Sequence, residues 1–400
     1  MEKSLTRYDE RIILSLLIGL SISFLVSLFL LQIFAGLLIL AWLFEKSENK
    51  RKAFDEFNLI FLLFVILRIL TIFLSEHFEV SSETFSKNGL FFLSLFPLSY
   101  YFKVLKDEKV FLISKVFIYN TLIITLVSII AFNFGFRERA TSVFLGNTTY
   151  TPQILCGLAM LIGYSFLREK KFNWIYWCSG IVILLTGLVV SLGRTDIVIG
   201  ILIIFVGILF KKFSVKSFAL FITIVTIFIT ISFQNNKGIL ETRIQAPASF
   251  SERDIIWKGA YDLALEHPLC GYGPRTFRTV FPYFDQLTDK GVGGWHNDYI
   301  TIYMESGIIT LCIMLLLIWR IIFSGIKKYR HYDRTKSKHF NLLWGTLVGL
   351  LALCLTGMTA GFINAPIVSL LFIYILAIFS SLIYPIQISN SNIKTNEESV

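Results

Sequence analysis

Apolar residues in this chain fall into long runs separated by short charged connectors. The runs lie near the roughly 20 residues that a helix needs to cross a hydrocarbon layer of about 30 Å. The first, Ile12 to Phe44, holds 33 residues. As one helix it would measure roughly 50 Å, so it reads better as two short spans. Further spans are predicted at Phe57–Ser75, Gly89–Phe102, Val110–Phe132, Tyr150–Leu167, Phe172–Ser191, Ile197–Phe210, Ser217–Phe233, Tyr299–Gly325, Phe340–Gly361 and Asn364–Tyr384. Counting the opening run twice gives about twelve. In lipid each backbone amide must be satisfied within its own helix, so the expected fold is all-α, a polytopic transmembrane helical bundle.

The pattern also sets the organisation. Residues 1–233 carry nine predicted spans, 234–298 form one large extramembrane loop, 299–385 carry three more spans, and 386–400 form a polar tail. The loop, 65 residues long, is too long to be a simple connector, which makes it the place to seek function. Within it, Ser251-Glu-Arg-Asp254 resembles a capping box opening a helix whose apolar face is Ile255, Ile256, Trp257, Ala260, Leu263 and Ala264. Pro268 and the Gly271-Tyr272-Gly273 turn end that helix, and a second short helix is predicted from Pro274 through Arg275, Phe277 and Arg278.

Composition agrees with lipid as the main solvent: 55% hydrophobic, 16% charged, mean hydropathy +0.70. The net charge of +10 invites a nucleic-acid partner. The basic residues instead cluster at span ends, on alternate connectors: Lys46/Lys50/Arg51/Lys52, Lys103/Lys106/Lys109, Arg168/Lys170/Lys171, Lys211/Lys212/Lys216 and Lys327/Lys328/Arg330/Arg334/Lys336/Lys338. These are expected to be cytoplasmic by the positive-inside bias, with no nucleic acid implied. The other connectors then face outward: Glu76 to Lys87, Arg137 with Arg139, Arg194, and the long loop. Near the N-terminus Lys3, Arg7 and Arg11 are balanced by Glu2, Asp9 and Glu10, so its side depends on whether the opening run spans once or twice. No short apolar segment with a small-residue cleavage site precedes the first span, which is expected to stay as an anchor. The five cysteines, four of them inside apolar runs, are expected to be buried thiols rather than disulfides or metal ligands.

Candidate chemistry collects on the outward side. Ser191-Leu-Gly-Arg194-Thr-Asp196 puts a charge at an outward turn, where it costs a few kcal/mol unless paired or wetted. It is either a snorkelling arginine paired with Asp196 or an anion-binding group. Arg253, in the first turn of the loop helix, is disfavoured by the helix dipole unless it shares an anion with the free amides, or unless it only pairs with Glu252 or Asp254. Trp257 lies on the same helix face. Gly293-Gly-Trp-His296-Asn297-Asp-Tyr299, followed by Tyr303, Glu305 and Gly307, places a histidine just above the re-entering span. It suits a general base or a phosphate-orienting donor, or serves as a hydrogen-bonded cap. Arg68, inside a span near its outward end, either reaches the same cavity or pairs structurally. His267, Arg275, Arg278, Arg137 and Arg139 complete the set. No D-x-D, Walker loop, G-x-S-x-G or H-E-x-x-H motif is present, so nucleotide-driven transport and metal hydrolysis lose ground and no metal or cofactor is expected.

Two arginines and a histidine at a membrane-water boundary suit a phosphorylated, membrane-held ligand such as a lipid-linked pyrophosphate. The chain resembles the O-antigen ligase and polymerase superfamily of bacterial membrane glycosyltransferases. The resemblance lies in its topology, in Gly193-Arg194 after a span and in Glu252-Arg253 opening the loop helix. It continues in His267-Pro268, Gly271-Tyr-Gly273, Phe277, His296-Asn297, Glu305 and Gly307, and more weakly in Gly146-Asn147. It implies a GT-C-like bundle in the bacterial inner membrane, with its site facing the periplasm and its tail in the cytoplasm. The implied activity is an inverting, metal-independent O-antigen ligase that moves a glycan from undecaprenyl pyrophosphate to a sugar hydroxyl of lipid A core. Arg194 and Arg253 would bind the pyrophosphate, and His296 would activate or position the acceptor. Arg68, Arg275, Arg278, Asn297, Tyr272 and Trp257 are weaker candidates for pyrophosphate or glycan contacts. Asp196 departs from the pattern, because it could pair with Arg194 in an empty site.

Three alternatives stay open. A polymerase of the same superfamily would share the donor chemistry and differ in acceptor, as would an oligosaccharyltransferase acting on protein. A flippase for lipid-linked glycans would place charges along several spans, whereas apart from Arg68 the predicted spans are nearly charge-free.

Overall fold

A computed structural model describes residues 8–142, 147–164, 171–212, 215–235, 252–331, 338–359 and 363–386. The regular structure among them is entirely helical. The opening apolar run is two helices, Glu10–Ser23 and Leu28–Leu43, joined by a turn in which Ser27 caps the second by accepting from Leu30 N–H. Then follow Ser47–Ala53, Glu56–Leu74, Phe78–Leu93, Leu95–Val104, Asp107–Asn133, Asn147–Gly163, Lys171–Val190, Arg194–Leu209 and Val215–Asn235. Beyond the loop come Asp298–His331, Lys338–Thr356 and Pro366–Ile383. Among the described residues five helices are long and apolar enough to cross a membrane, Glu56–Leu74, Asp107–Asn133, Asp298–Arg330, His339–Thr356 and Pro366–Ile383. Shorter apolar helices lie beside them. The protein is a multi-pass helical membrane protein.

Burial sorts these helices as a bundle in lipid requires. Every residue of Pro366–Ile383 from Ile367 onward is buried, whereas Leu59, Leu63, Ile66, Leu70 and Phe73 line an exposed apolar face of Glu56–Leu74. Asn147–Gly163 packs against Lys338–Thr356 antiparallel and nearly backbone to backbone: a Cβ on Gly163 would meet the Asn341 carbonyl oxygen at 2.5 Å.

Polar contacts show which connectors share an end. Lys103 Nζ pairs with Asp55 Oδ2, Arg320 with Glu56, Lys109 Nζ with Glu10 Oε2 at 2.6 Å, His339 Nε2 with Asp107 Oδ2 at 2.9 Å, and Lys212 Nζ donates to Asn341 Oδ1 at 3.1 Å. The start of the first helix therefore sits at the end that carries the basic connectors. Arg194, the loop from 252, and residues 357–359 and 363–364 lie at the other end.

Four expectations are corrected. Glu76 to Lys87 was expected to be a connector, but Phe78–Leu93 is a helix through it: Ser81, Thr84 and Asn88 turn inward while Glu83 and Lys87 pair one turn apart on the outside. The loop helix spans Arg253–Leu263 and its N-cap is Glu252 at φ 59°, with no side-chain cap; Ser251 lies outside the described residues. Pro274 does not start the second helix, which is only Phe277–Val280, because Arg275 adopts φ 64°. Of the cysteines only Cys156 and Cys354 are buried, Cys270 and Cys312 being exposed, since Cys312 points outward from its helix and Cys270 lies in the loop. Gly146 and the tail from 387 lie outside the described residues.

Candidate active site

The loop is built on its own small core. Ile256 and Ala260 of the Arg253–Leu263 helix, Phe277, Phe281, Leu287, Val292, Trp295 and Met304 pack together, with the Trp295 ring edge-on to Phe277 at 4.9 Å between centroids. Burial of these apolar groups stabilises a segment too polar to enter lipid. It also fixes Trp295, and the next residue, His296, leaves that core in a left-handed turn at φ 51°. Such a backbone costs a non-glycine residue about 1–2 kcal/mol, so its neighbours must hold it. Asn297 does part of this by accepting from Tyr299 and Ile300 N–H at 2.9 and 3.2 Å, which caps the helix that begins at Asp298. The side-chain oxygen of Asn297 is thus engaged in its own helix end.

Arg253 and His296 lie in one neighbourhood, where the charge of Arg253 acts on the imidazole. Arg253 donates through Nη2 to the Thr359 carbonyl at 2.8 Å, and its buried Nε has no partner among the described residues. Trp257, one turn along, donates through Nε1 to the Trp295 carbonyl at 3.3 Å. His296 is held below the usual imidazole pKa, first by burial and then by the charge of Arg253, against a weaker opposing effect of Asp289. At neutral pH it is the uncharged imidazole, able to accept a proton. Glu252 turns away, its carboxylate accepting from Thr288 and Asp289 N–H.

Arg194 lies at the same end of the bundle. It is exposed, and among the described residues it makes no ion pair with Asp196. Asp196 instead accepts from Thr151 Oγ1 at 2.8 Å, so the expected pairing is not formed because the carboxylate turns to a neighbouring helix. Arg194 and Arg253 share a local geometry: each is the first residue of a helix whose N-cap, Gly193 or Glu252, supplies no side-chain cap. Free amides and a guanidinium at one helix start make an anion-binding arrangement. No contact among the described residues links Arg194 directly to Arg253 or His296.

The remaining candidates divide. Arg68 is buried, 2% exposed, and pairs through Nη2 with Glu305 Oε2 at 2.8 Å. The other carboxylate oxygen, Oε1, accepts from Arg275 N–H and from Asn364 Nδ2, both at 2.9 Å. Arg275 also donates to Asn88 Oδ1 at 2.7 Å. Arg278 donates to the Gly291 and Val292 carbonyls, at 3.0 and 3.3 Å, and so braces the stretch before His296. Tyr272 OH donates to Glu266 Oε2 at 2.6 Å, and its ring packs edge-on to His267. These four are tied into the protein and brace the loop.

Glu305, Asn364 and the Thr359 carbonyl were not singled out as site groups by the sequence. The signal for Glu305 was present: two opposite charges, Arg68 and Glu305, both inside apolar runs, are each expensive alone and call for each other.

Two arginine-bearing helix starts and a neutral histidine thus lie at one end of a multi-pass helical membrane protein. Residues 179–315 match the family model described as O-antigen ligase, a stretch that contains Arg194, Arg253, His296, Glu305 and Gly307. Over that stretch the chain is similar to the O-antigen ligase family. No curated protein matches it significantly.

Proposed function

We propose that the protein is an O-antigen ligase, transferring a glycan from undecaprenyl pyrophosphate to a sugar hydroxyl of lipid A core at the periplasmic face of the bacterial inner membrane, without a metal. The observation that carries this reading is the pair of uncapped helix starts that bear Arg194 and Arg253 at one end of the bundle, with the neutral His296 within reach of the Arg253 charge. Arg194 and Arg253 hold the donor pyrophosphate, whose two phosphates suit two guanidinium forks. The imidazole of His296 takes the proton of the acceptor hydroxyl as its oxygen attacks the anomeric carbon. The carbon-oxygen bond to the pyrophosphate breaks on the opposite face, with inversion, and the arginines stabilise the departing charge. A polymerase would use the same donor chemistry with a lipid-linked repeat as acceptor.

The test is replacement of each of Arg194, Arg253 and His296 by Ala, with transfer measured in membranes. Each should lower the rate by about 10²–10⁴, as loss of a general base or charge-stabilising group does, while insertion is unchanged. Wild-type transfer in the triple variant refutes the site. In a deletion strain, lipid-linked polymer accumulating beside unmodified core supports the ligase; core bearing a single repeat unit indicates a polymerase.

A further inference from the structure

Glu305 joins four separate parts of the chain. Its Oε2 holds Arg68 of the Glu56–Leu74 helix, and its Oε1 takes Arg275 N–H of the loop turn and Asn364 Nδ2 of the 363–365 connector, all from the end of the short helical segment that starts at Asp298. That segment is cut from the rest of its helix at Gly307, where φ is 76° and ψ 177°. Its other end is tied to the same connector region: Asp298 N–H donates to the Gly357 carbonyl at 2.7 Å, and Asp298 Oδ1 accepts from Ile363 N–H at 3.3 Å. His296 stands two residues before Asp298, and Arg253 hangs on Thr359 between these ties. Seven residues of helix, about 10 Å, separate the Asp298 end from Glu305.

The ionic pair is an expensive way to hold helices together. Arg68 and Glu305 are both almost fully buried, and Arg68 Nε and Nη1 have no partner among the described residues. Apolar side chains of similar volume would stabilise such a position as well or better. What an apolar residue could not supply is the second carboxylate oxygen, which fixes Arg275 in its left-handed turn at φ 64°.

We infer that Glu305 is a positioning residue: through Oε1 it sets the loop turn and the short Asp298–Ser306 segment and so the place of His296 relative to Arg253, while Arg68 aims the carboxylate. This rests on the glycan-transfer reading above, but its structural half can be measured alone. Two double variants separate geometry from charge, neither leaving an unpaired buried ion. Arg68→Met with Glu305→Gln retains an oxygen for Arg275 and Asn364; Arg68→Met with Glu305→Met does not.

Purified protein in nanodiscs is compared by amide hydrogen exchange over 271–276 and 296–306, and by steady-state transfer from the lipid-linked donor. The Gln variant should match wild type in exchange and stay within a few-fold in kcat. The Met variant should exchange faster in both stretches and lose about 10²-fold in kcat with the donor KM little changed, the mark of a displaced reacting group rather than lost binding. Equal exchange in the two variants, or wild-type kcat in the Met variant, overturns the inference. Absence of transfer by the wild-type protein overturns the functional reading instead, and the exchange comparison still decides whether Glu305 holds the turn.

Discussion

Replacing Gly307 with Ala tests the geometry on which the site depends. At φ 76° and ψ 177° Gly307 occupies a region that is essentially glycine-only, and another residue there costs about 1–3 kcal/mol. An added Cβ would also run into the carbonyl of Leu269, a backbone atom that cannot swing aside. The chain can escape by letting the helix run straight through residue 307. That breaks three backbone hydrogen bonds between the turn and the helix break: Tyr272 N–H to Met304 O at 2.8 Å, Gly273 N–H to Glu305 O at 3.0 Å and Ile308 N–H to Pro268 O at 2.8 Å. At about 0.5–1.5 kcal/mol each, this escape costs as much as the strain it relieves. The clash with the Leu269 carbonyl comes on top of that strain, so the native arrangement costs the variant more than the escape does, and each ~1.4 kcal/mol of that excess lowers its population, and the transfer rate, about ten-fold. The assay is glycan transfer in proteoliposomes at matched protein content, with Gly89→Ala as control, since an added Cβ there has nothing within 4 Å. Transfer by Gly307→Ala within about two-fold of wild type would refute the reasoning.

The site's electrostatics and topology give further expectations. Because burial and the Arg253 charge hold His296 below its ordinary pKa near 6.5, kcat/KM should be level near neutrality and fall as pH drops through that lowered value. Arg253→Gln should reduce the plateau and move this acidic limb upward, since it removes a charge that disfavours the imidazolium; an unmoved limb would rule out His296 as the titrating base. His296→Gln, which retains hydrogen bonding but accepts no proton, should recover much of the rate lost in His296→Ala only if the residue positions the acceptor rather than deprotonating it. With the exposed Cys270 and Cys312 replaced first, cysteines introduced at Lys290 and Lys328 should react with an impermeant reagent from opposite sides of the membrane; labelling from one side contradicts the positive-inside assignment.

The helices of the bundle were legible in the sequence because a chain in lipid must hide its amides locally, so apolar length alone announces each span. The grouping of the basic connectors at one end was equally legible, because each short connector carries its own charge bias. Arg194, Arg253 and His296 stood out as charged or titratable groups at span and helix ends, features visible within a few residues of sequence. The Phe78–Leu93 helix was not visible, as its outer half hides Ser81, Thr84 and Asn88 against other helices and so lacks an apolar run. Nor could the sequence say that Asp196 turns to Thr151, that Arg68 reaches Glu305 across 237 residues, or that the charge of Arg253 acts on His296. What the sequence determined by itself was therefore the apolar helices, their shared ends and the chemistry available, because solvation by lipid acts on each segment separately. Only the tertiary structure decided which of those charges are partners of one another, because that depends on contacts between segments far apart in the chain.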